Sequence, residues 1–339
     1  MAPRRVAIGG MGGTIAMTNT VGTGAVPTLS AAELVDAVPG LADVAEVTTT
    51  NLASKPGASL TEADMMRSLA WARTEVDAGA CGVVLVQGTD TLEETAYLLD
   101  LFWDRLEPLI VTGAMRAPEQ AGSDGSANIL ASVLTAIEPS AGGRGVLVVL
   151  NDQVHEAAWV SKSDSMSVNA FRSPVFGPIG RLVEGGVVFR GRSRRHPPLA
   201  GDQGTATSSP RVGLLTTHLA DSGEVLRLVV DAGFDGVVIG SFGVGHVSSS
   251  LADVVGEATP VCPVVFASRT GSGTTAKRTY GFPGSERDLC QRGAIAAGWL
   301  TSVKARVLLW ASLRLGFTTK EIETEFARRG VDPWQPEGT

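Results

Sequence analysis

The sequence predicts an α/β fold in two domains, from three observations. Short apolar runs recur along the chain, each ends at a glycine or polar turn, and helix-period segments fill the intervals between them. The runs are VAIGG (6–10), GVVLV (82–86), PLIVTG (108–113), GVLVVL (145–150), VGLLTT (212–217), GVVIGSF (236–242) and PVVFAS (263–268). They are rich in Val, Ile and Leu without polar alternation, as suits strands covered on both faces of a mostly parallel sheet. Helices are expected over 61–77, 124–137, 222–232 and 303–315, and in the stretch that follows the second run. There Leu92, Thr95, Ala96, Leu99, Phe102, Trp103 and Leu106 fall at helical spacing on one broad, mostly apolar stripe. The segment RGRSRRHPPLAGDQGTATSSPR (190–211) interrupts this pattern with linker chemistry. It separates a larger N-terminal α/β domain (1–190) from a smaller C-terminal α/β domain (212–339), with 191–211 as the linker.

With 339 residues, two domains are the ordinary expectation. A hydrophobic share of 44% and a charged share of 19% mark a globular chain. The net charge of -7 argues against nucleic acid or an anionic membrane surface as a partner. Cys81, Cys262 and Cys290 are odd in number and lack metal-ligand spacing, so buried thiols are expected for Cys81 and Cys262, beside apolar runs. VAIGGMGG is too short and glycine-rich for a signal-peptide core, and no stretch approaches the roughly 20 apolar residues of a membrane span. A cytoplasmic location follows as the expectation.

Three stretches carry candidate chemistry. In VAIGGMGGTIAM, glycines behind a strand permit close backbone approach, which would set Thr14 at a ligand-facing turn or at a simple helix cap. A dinucleotide fingerprint begun at Gly10 meets Ile15 where its third glycine belongs, which weakens a nicotinamide-dependent oxidoreductase. In QGTDTLEET, Thr91 and Glu94 fit a capping box and Asp90 suits the positive helix end, yet Thr89, Asp90 and Thr91 together exceed what one cap requires. In DQVHEAAWVSKSDSMSVNAF, Lys162 stands among small polar residues behind a strand. Ligands of open parallel sheets bind outside the carboxyl ends of strands, so one crevice could hold all of these groups. A threonine hydroxyl needs a neighbouring base, a role open to a lysine of depressed pKa oriented by an aspartate. That set suits acyl transfer from an amide or ester to water without metal or cofactor.

At these residues the chain resembles the bacterial-type L-asparaginase (asparaginase/glutaminase) family. The matching stretches are GGMGGTIAM, QGTDTLEETAYLLD, VTGAMR with GSDGSANI, GVLVVLNDQVHEAAWVSK and KARVLL, in family order over nearly the whole chain. The resemblance implies a two-domain α/β fold and hydrolysis of L-asparagine to L-aspartate and ammonia. It also implies a homodimer or homotetramer in which a neighbour's C-terminal domain closes each site. Carried over, Thr14 would be the nucleophile, and backbone N–H groups of its glycine turn would stabilise the oxyanion. Thr89, Lys162 and Asp90 would form a second triad, with Thr89 as activator or alternative nucleophile. Asp90 would also hold the substrate's α-ammonium.

Two departures from that pattern are visible. Gly57 or Ala58 occupies the place of a serine expected to bind the substrate's α-carboxylate, with Ser54 and Ser59 as nearby substitutes. The lid segment MTNTVGTGAVPTLS lacks the tyrosine that the resemblance implies; Tyr280, with Glu286, is the candidate replacement from a neighbouring C-terminal domain. His246 in SFGVGHVSSS is a candidate substrate contact, His155 and His218 have no partner residues to recommend them, and Asp124 is expected to cap a helix. The same chemistry on a larger amide and a non-catalytic amino-acid-binding protein are the alternatives.

Overall fold

A computed structural model describes residues 4–20, 24–201 and 209–334. The centre of the lid segment (21–23) and residues 202–208 of the linker lie outside the described residues. The chain divides into two compact units, Met1–Pro198 and Leu199–Thr339.

The first unit begins with β1 (Arg5–Gly10), β2 (Met17–Thr20), β3 (Gly24–Pro27), α1 (Ala31–Asp36), α2 (Leu41–Val44) and β4 (Glu46–Asn51). There follow α3 (Glu62–Asp77), β5 (Gly82–Val86), α4 (Leu92–Phe102), β6 (Leu109–Thr112), α5 (Gly125–Ile137) and β7 (Val146–Leu150). The short strands β8 (Gln153–Glu156), β9 (Ser161–Lys162), β10 (Phe171–Arg172), β11 (Gly180–Val183) and β12 (Gly186–Phe189) complete it. Eight strands form one sheet in the order β12-β11-β8-β7-β6-β5-β1-β4. Strands β4, β1, β5, β6 and β7 run parallel, and β8, β11 and β12 extend the sheet antiparallel. β5 and β7 are buried along their whole length, the direct result of runs without polar alternation.

Register places the chemistry. Gly10 pairs with Val86, and Val86 with Thr112, so β1, β5 and β6 stop at one level. The turns that follow them therefore emerge side by side.

Helix ends are fixed by side chains that satisfy orphan N–H groups. Ser30 with Glu33 and Thr61 with Asp64 form capping boxes for α1 and α3. The expected stripe of α4 holds through Phe102, but the helix stops there: Trp103 turns extended and Leu106 is 77% exposed. Trp103 stays buried by donating its indole N–H to the Glu107 carbonyl.

The second unit holds β13 (Val212–Thr216), α6 (Glu224–Asp231), β14 (Gly236–Ser241), α7 (Ser249–Ala258) and β15 (Val264–Ser268). It continues through α8 (Glu286–Gln291), β16 (Ile295–Ala296), α9 (Ser302–Arg314) and α10 (Thr319–Arg329). Its four strands form a parallel sheet in sequence order. The core of this unit gathers Val237, Ile239, Val264 and Phe266 against Leu251 and Val255 of α7. Cys262 is buried and Cys81 half-buried, and burial pushes both thiols up. Among the described residues no helix is long and apolar enough to cross a membrane.

Candidate active site

The turns after β1, β4 and β5 interlock through backbone. Met11 N–H donates to the Val86 carbonyl at 2.9 Å, and Lys55 N–H to the Met11 carbonyl at 3.2 Å. Gly13 has φ +88°, a conformation that glycine alone adopts without strain, and a Cβ built there would overlap the backbone of Gly88. A Cβ on Gly57 would stand 3.1 Å from the Gly88 carbonyl carbon and oxygen. Three glycines, one from each turn, thus pack closely, with no room for a Cβ at Gly13 or Gly88 and only a tight fit for one at Gly57. Gly13 leads directly into Thr14 and Gly88 directly into Thr89, so the two threonines leave a shared backbone contact. The glycine run of the first stretch is used for close approach between loops.

Thr14 opens a single turn of 3-10 helix, Thr14–Ala16, and is half-buried. Thr89 and Asp90 lie in another such turn, Thr89–Thr91, that runs into α4; Thr89 is buried and Asp90 exposed. Lys162 arrives from β9, 73 positions along the chain. Its Nζ donates to Thr89 Oγ1 at 2.9 Å and lies 3.4 Å from Asp90 Oδ1. The lysine side chain is only 19% exposed, so this contact is shielded from water on most sides. Hydroxyl, amine and carboxylate are together, as the acyl-transfer reading requires, and Thr14 is joined to them through the Gly13–Gly88 contact.

Two capping expectations are corrected. Thr91 makes no cap bond to α4; its Oγ1 donates instead to the Gly57 carbonyl at 3.0 Å, tying the β4 and β5 turns. Its backbone (φ -113°, ψ 10°) continues the preceding 3-10 turn, which removes the geometry a capping box needs. Asp124 likewise does not cap α5. Its carboxylate accepts the Met115 and Arg116 N–H groups and the Asn128 amide, and Asn128 donates also to the Gly113 carbonyl at 2.9 Å. This network fixes the turn after β6, where a Cβ on Gly113 would come 3.4 Å from Thr89 Cγ2.

Gly57 is buried against Gly88, whereas Ser54 and Ser59 are exposed members of the same turn. That turn is held by Asp64, a residue sequence reasoning missed. Its buried carboxylate accepts from Lys55 Nζ at 2.8 Å and from the Thr61 hydroxyl at 2.7 Å, and pairs with Arg67. Burial alone would raise its pKa, but Lys55 and Thr61 outweigh that and bring it down to about 2. The signal was present as Thr61-x-x-Asp64, a capping box whose acid is one methylene shorter than glutamate. Glu93 was also missed: its Oε1 accepts the backbone N–H of Lys162 at 3.1 Å.

His246, Tyr280 and Glu286 gather in the second unit. His246 Nε2 lies 3.3 Å from Glu286 Oε2, and its ring meets Tyr280 and Phe282 edge-on at 4.7 and 5.0 Å. Glu286 is fully buried and accepts the Thr279 and Tyr280 N–H groups, both at 2.8 Å. Burial opposes its ionisation, yet the N–H groups of Tyr280, Glu286 and Thr279 and the His246 side chain together hold its pKa below the usual glutamate value. Tyr280 itself is 43% exposed. His155 is buried in β8 with Nδ1 3.0 Å from Ser173 Oγ, and burial, helped by the charge of Arg181, lowers its pKa to about 4. His218 is exposed and faces the Leu219 carbonyl.

Thr89 and Asp90 behind β5 of a mostly parallel sheet, met by Lys162 from the separate β9–β10 pair, mark an α/β protein with a threonine–lysine–aspartate cluster. The chain belongs to the asparaginase family. Residues 5–195 match the family model of the N-terminal asparaginase domain, and residues 211–326 that of the glutaminase/asparaginase C-terminal domain. It is 32% identical over 296 residues to L-asparaginase 2 of Escherichia coli (strain K12), covering 86% of this chain and 83% of that one. It is 33% identical to a probable L-asparaginase of Deinococcus radiodurans, covering 96% and 97% of the two chains. The crystal structure of a probable cytoplasmic L-asparaginase from Campylobacter jejuni superposes with a TM-score of 0.85 at 30% identity, over 95% of this chain and 99% of that one.

Proposed function

We propose that this chain hydrolyses L-asparagine to L-aspartate and ammonia, with Thr14 as the nucleophile. The observation that carries the reading is the Lys162–Thr89–Asp90 cluster beside the Thr14 turn, in a family whose relatives described above are named L-asparaginases. The Thr14 hydroxyl oxygen adds to the side-chain amide carbon, and its proton passes toward the Thr89–Lys162 pair. The amide C–N bond then breaks, ammonia leaves with a proton returned from that pair, and water cleaves the acyl-threonine to aspartate. Backbone N–H groups of the glycine turn receive the oxyanion. The exposed Asp90 carboxylate takes the substrate's α-ammonium, and Ser59 or Ser54, beside Gly57, takes its α-carboxylate.

The reading extends to assembly and compartment. His246, Tyr280 and Glu286 serve the site of a neighbouring copy in a homodimer or homotetramer, and the protein works in the cytoplasm. Support for the second point comes from the three unpaired cysteines, which fit a reducing compartment. Light scattering after gel filtration and cell fractionation test these two statements, with a monomer or an exported protein as the contrary results.

A coupled ammonia assay over asparagine, glutamine and a peptide-amide panel tests the activity. Wild type releases ammonia from asparagine, and Thr14→Ala and Thr89→Val lose it. Full activity in Thr14→Ala overturns the nucleophile assignment, and no ammonia from asparagine with the wild type overturns the function.

A further inference from the structure

Lys162 reaches Thr89 from an element that is weak by itself. β9 contains two residues, pairs among the described residues only with the two residues of β10, and forms a sheet separate from the eight-stranded one. Such a pair is marginal without further anchors. A lysine ammonium rides on four flexible methylenes, so its position depends on where the backbone beneath it is fixed.

Val160, Ala170 and Phe171 pack the pair into the interior, Gln153 of β8 reaches Asn169 at 3.5 Å, and two further side-chain contacts set the position of Lys162 itself. On one side, Glu93 in the first turn of α4 accepts the Lys162 N–H at 3.1 Å, with its other carboxylate oxygen shielded from solvent. The helix dipole would account for an acid in a first turn. It does not account for one that reaches a different segment and bonds the very residue whose Nζ meets Thr89. Thr89, Asp90 and Glu93 lie within five consecutive residues, so one turn of chain holds both ends of Lys162, head and backbone. On the other side, Ser173 directly follows β10, and its hydroxyl lies 3.0 Å from Nδ1 of His155 in β8, a strand of the main sheet. Both residues are buried, at 6% and 1% exposure. The imidazole, with its pKa lowered to about 4, is neutral at physiological pH, so its contact with Ser173 is a neutral hydrogen bond.

We propose that Glu93 and the His155–Ser173 pair are positioning residues that clamp the β9–β10 hairpin from two sides and thereby keep Lys162 Nζ on Thr89 Oγ1. This inference rests on the hydrolase reading above for its kinetic consequence, and on geometry alone for its structural one.

The test uses the full-length protein as wild type, Glu93→Ala, Glu93→Gln and Ser173→Ala. Steady-state kinetics on asparagine is combined with hydrogen exchange of the 160–173 backbone. In Glu93→Ala, kcat falls by about 10²-fold, as misplacement of a reacting group by about 1 Å does, while KM stays within about threefold. Exchange over 160–173 accelerates in the same variant. Glu93→Gln keeps an acceptor oxygen and recovers most of the kcat and the protection, a rescue that a merely structural role of the charge would not produce. Ser173→Ala removes one oxygen and shows the same kcat-selective loss, so the test survives if Glu93→Ala does not fold. Wild-type kcat and exchange in Glu93→Ala and Ser173→Ala overturn the proposal, as does a Glu93→Gln as impaired as Glu93→Ala. If the wild type hydrolyses no asparagine, the functional reading fails, and the exchange measurement still decides the clamp.

Discussion

Lys162 Nζ donates to the Thr89 hydroxyl at 2.9 Å across 73 positions of sequence. A bond of that span between two side chains, largely shielded from water, sets the strongest expectation for mutagenesis. Lys162→Met keeps the length of the stem and removes the amine, and is expected to lower kcat by about 10²–10⁴-fold. Thr89→Val should cost a similar factor, and the double variant little more than either single one, because groups that act as a unit are not additive. Initial-rate kinetics on the four proteins measures this; additive losses would show that the two residues act separately.

Gly13 and Gly88 make a second, sharper prediction. Alanine at 13 must adopt φ +88° and overlap the backbone of Gly88, with no flexible side chain to yield. Gly13→Ala is expected to destabilise the fold by about 2–4 kcal/mol and to abolish activity. Gly57→Ser brings its Cβ to 3.1 Å from Gly88 and calls for only a small displacement, so a milder loss of about 1 kcal/mol is expected. Denaturant unfolding distinguishes the two sizes of effect.

Glu156 at the end of β8 carries a pKa raised to about 7 by burial and by Asp100, against the partial opposition of Arg144. A carboxyl whose folded pKa exceeds its unfolded value makes stability fall as pH rises from about 4.5 to 7 and level off above that. Glu156→Gln cannot ionise and keeps a partner for the Ser193 hydroxyl, which Glu156 now engages. At pH 8 its Tm should exceed that of wild type by about 3 °C, and at pH 4 the two should coincide. Thermal unfolding at the two pH values checks the sign.

Asp64 behaves in the opposite sense. Its pKa of about 2 lies below the unfolded value of 3.8, so its stabilising contribution is present above pH 4 and is lost as pH falls toward 2. Asp64→Asn should lower Tm by several degrees at pH 7 and by much less at pH 2, the gap being the signature of the lost charge. Because Asp64 anchors Lys55 in the turn that holds Gly57, KM for asparagine should rise in the same variant.

The parallel core was legible in sequence because buried strands carry unbroken apolar runs, and β1, β5, β6, β7, β13, β14 and β15 stand where such runs are. β4 was not legible. It is one of the two edge strands of the sheet, reads EVTTTN and is largely exposed, so no hydrophobic pattern marks it. The β11–β12 hairpin was missed although Glu184 and Gly185 both take positive φ, the turn chemistry of a two-residue connection. Thr14 and Thr89–Asp90 directly follow β1 and β5, so their position at one end of the sheet was legible, whereas Lys162, expected in a loop behind the 145–150 run, lies in β9 beyond the antiparallel β8. Glu93 and Asp64 were not legible, since each looks like ordinary helix-start chemistry and their second task is visible only in three dimensions. The same ambiguity led Thr91 and Asp124 to be read as caps.

The three abutting glycine turns have a consequence for redesign of this protein. Where side chains set the spacing of reactive groups, a second substitution nearby can restore what a first one disturbs. Here the separation of the two hydroxyl-bearing turns is ruled by main chain pressed on main chain, and no rotamer is available to absorb an error. Laboratory evolution toward new amides should therefore leave those turns untouched and accumulate its changes in side chains outside them.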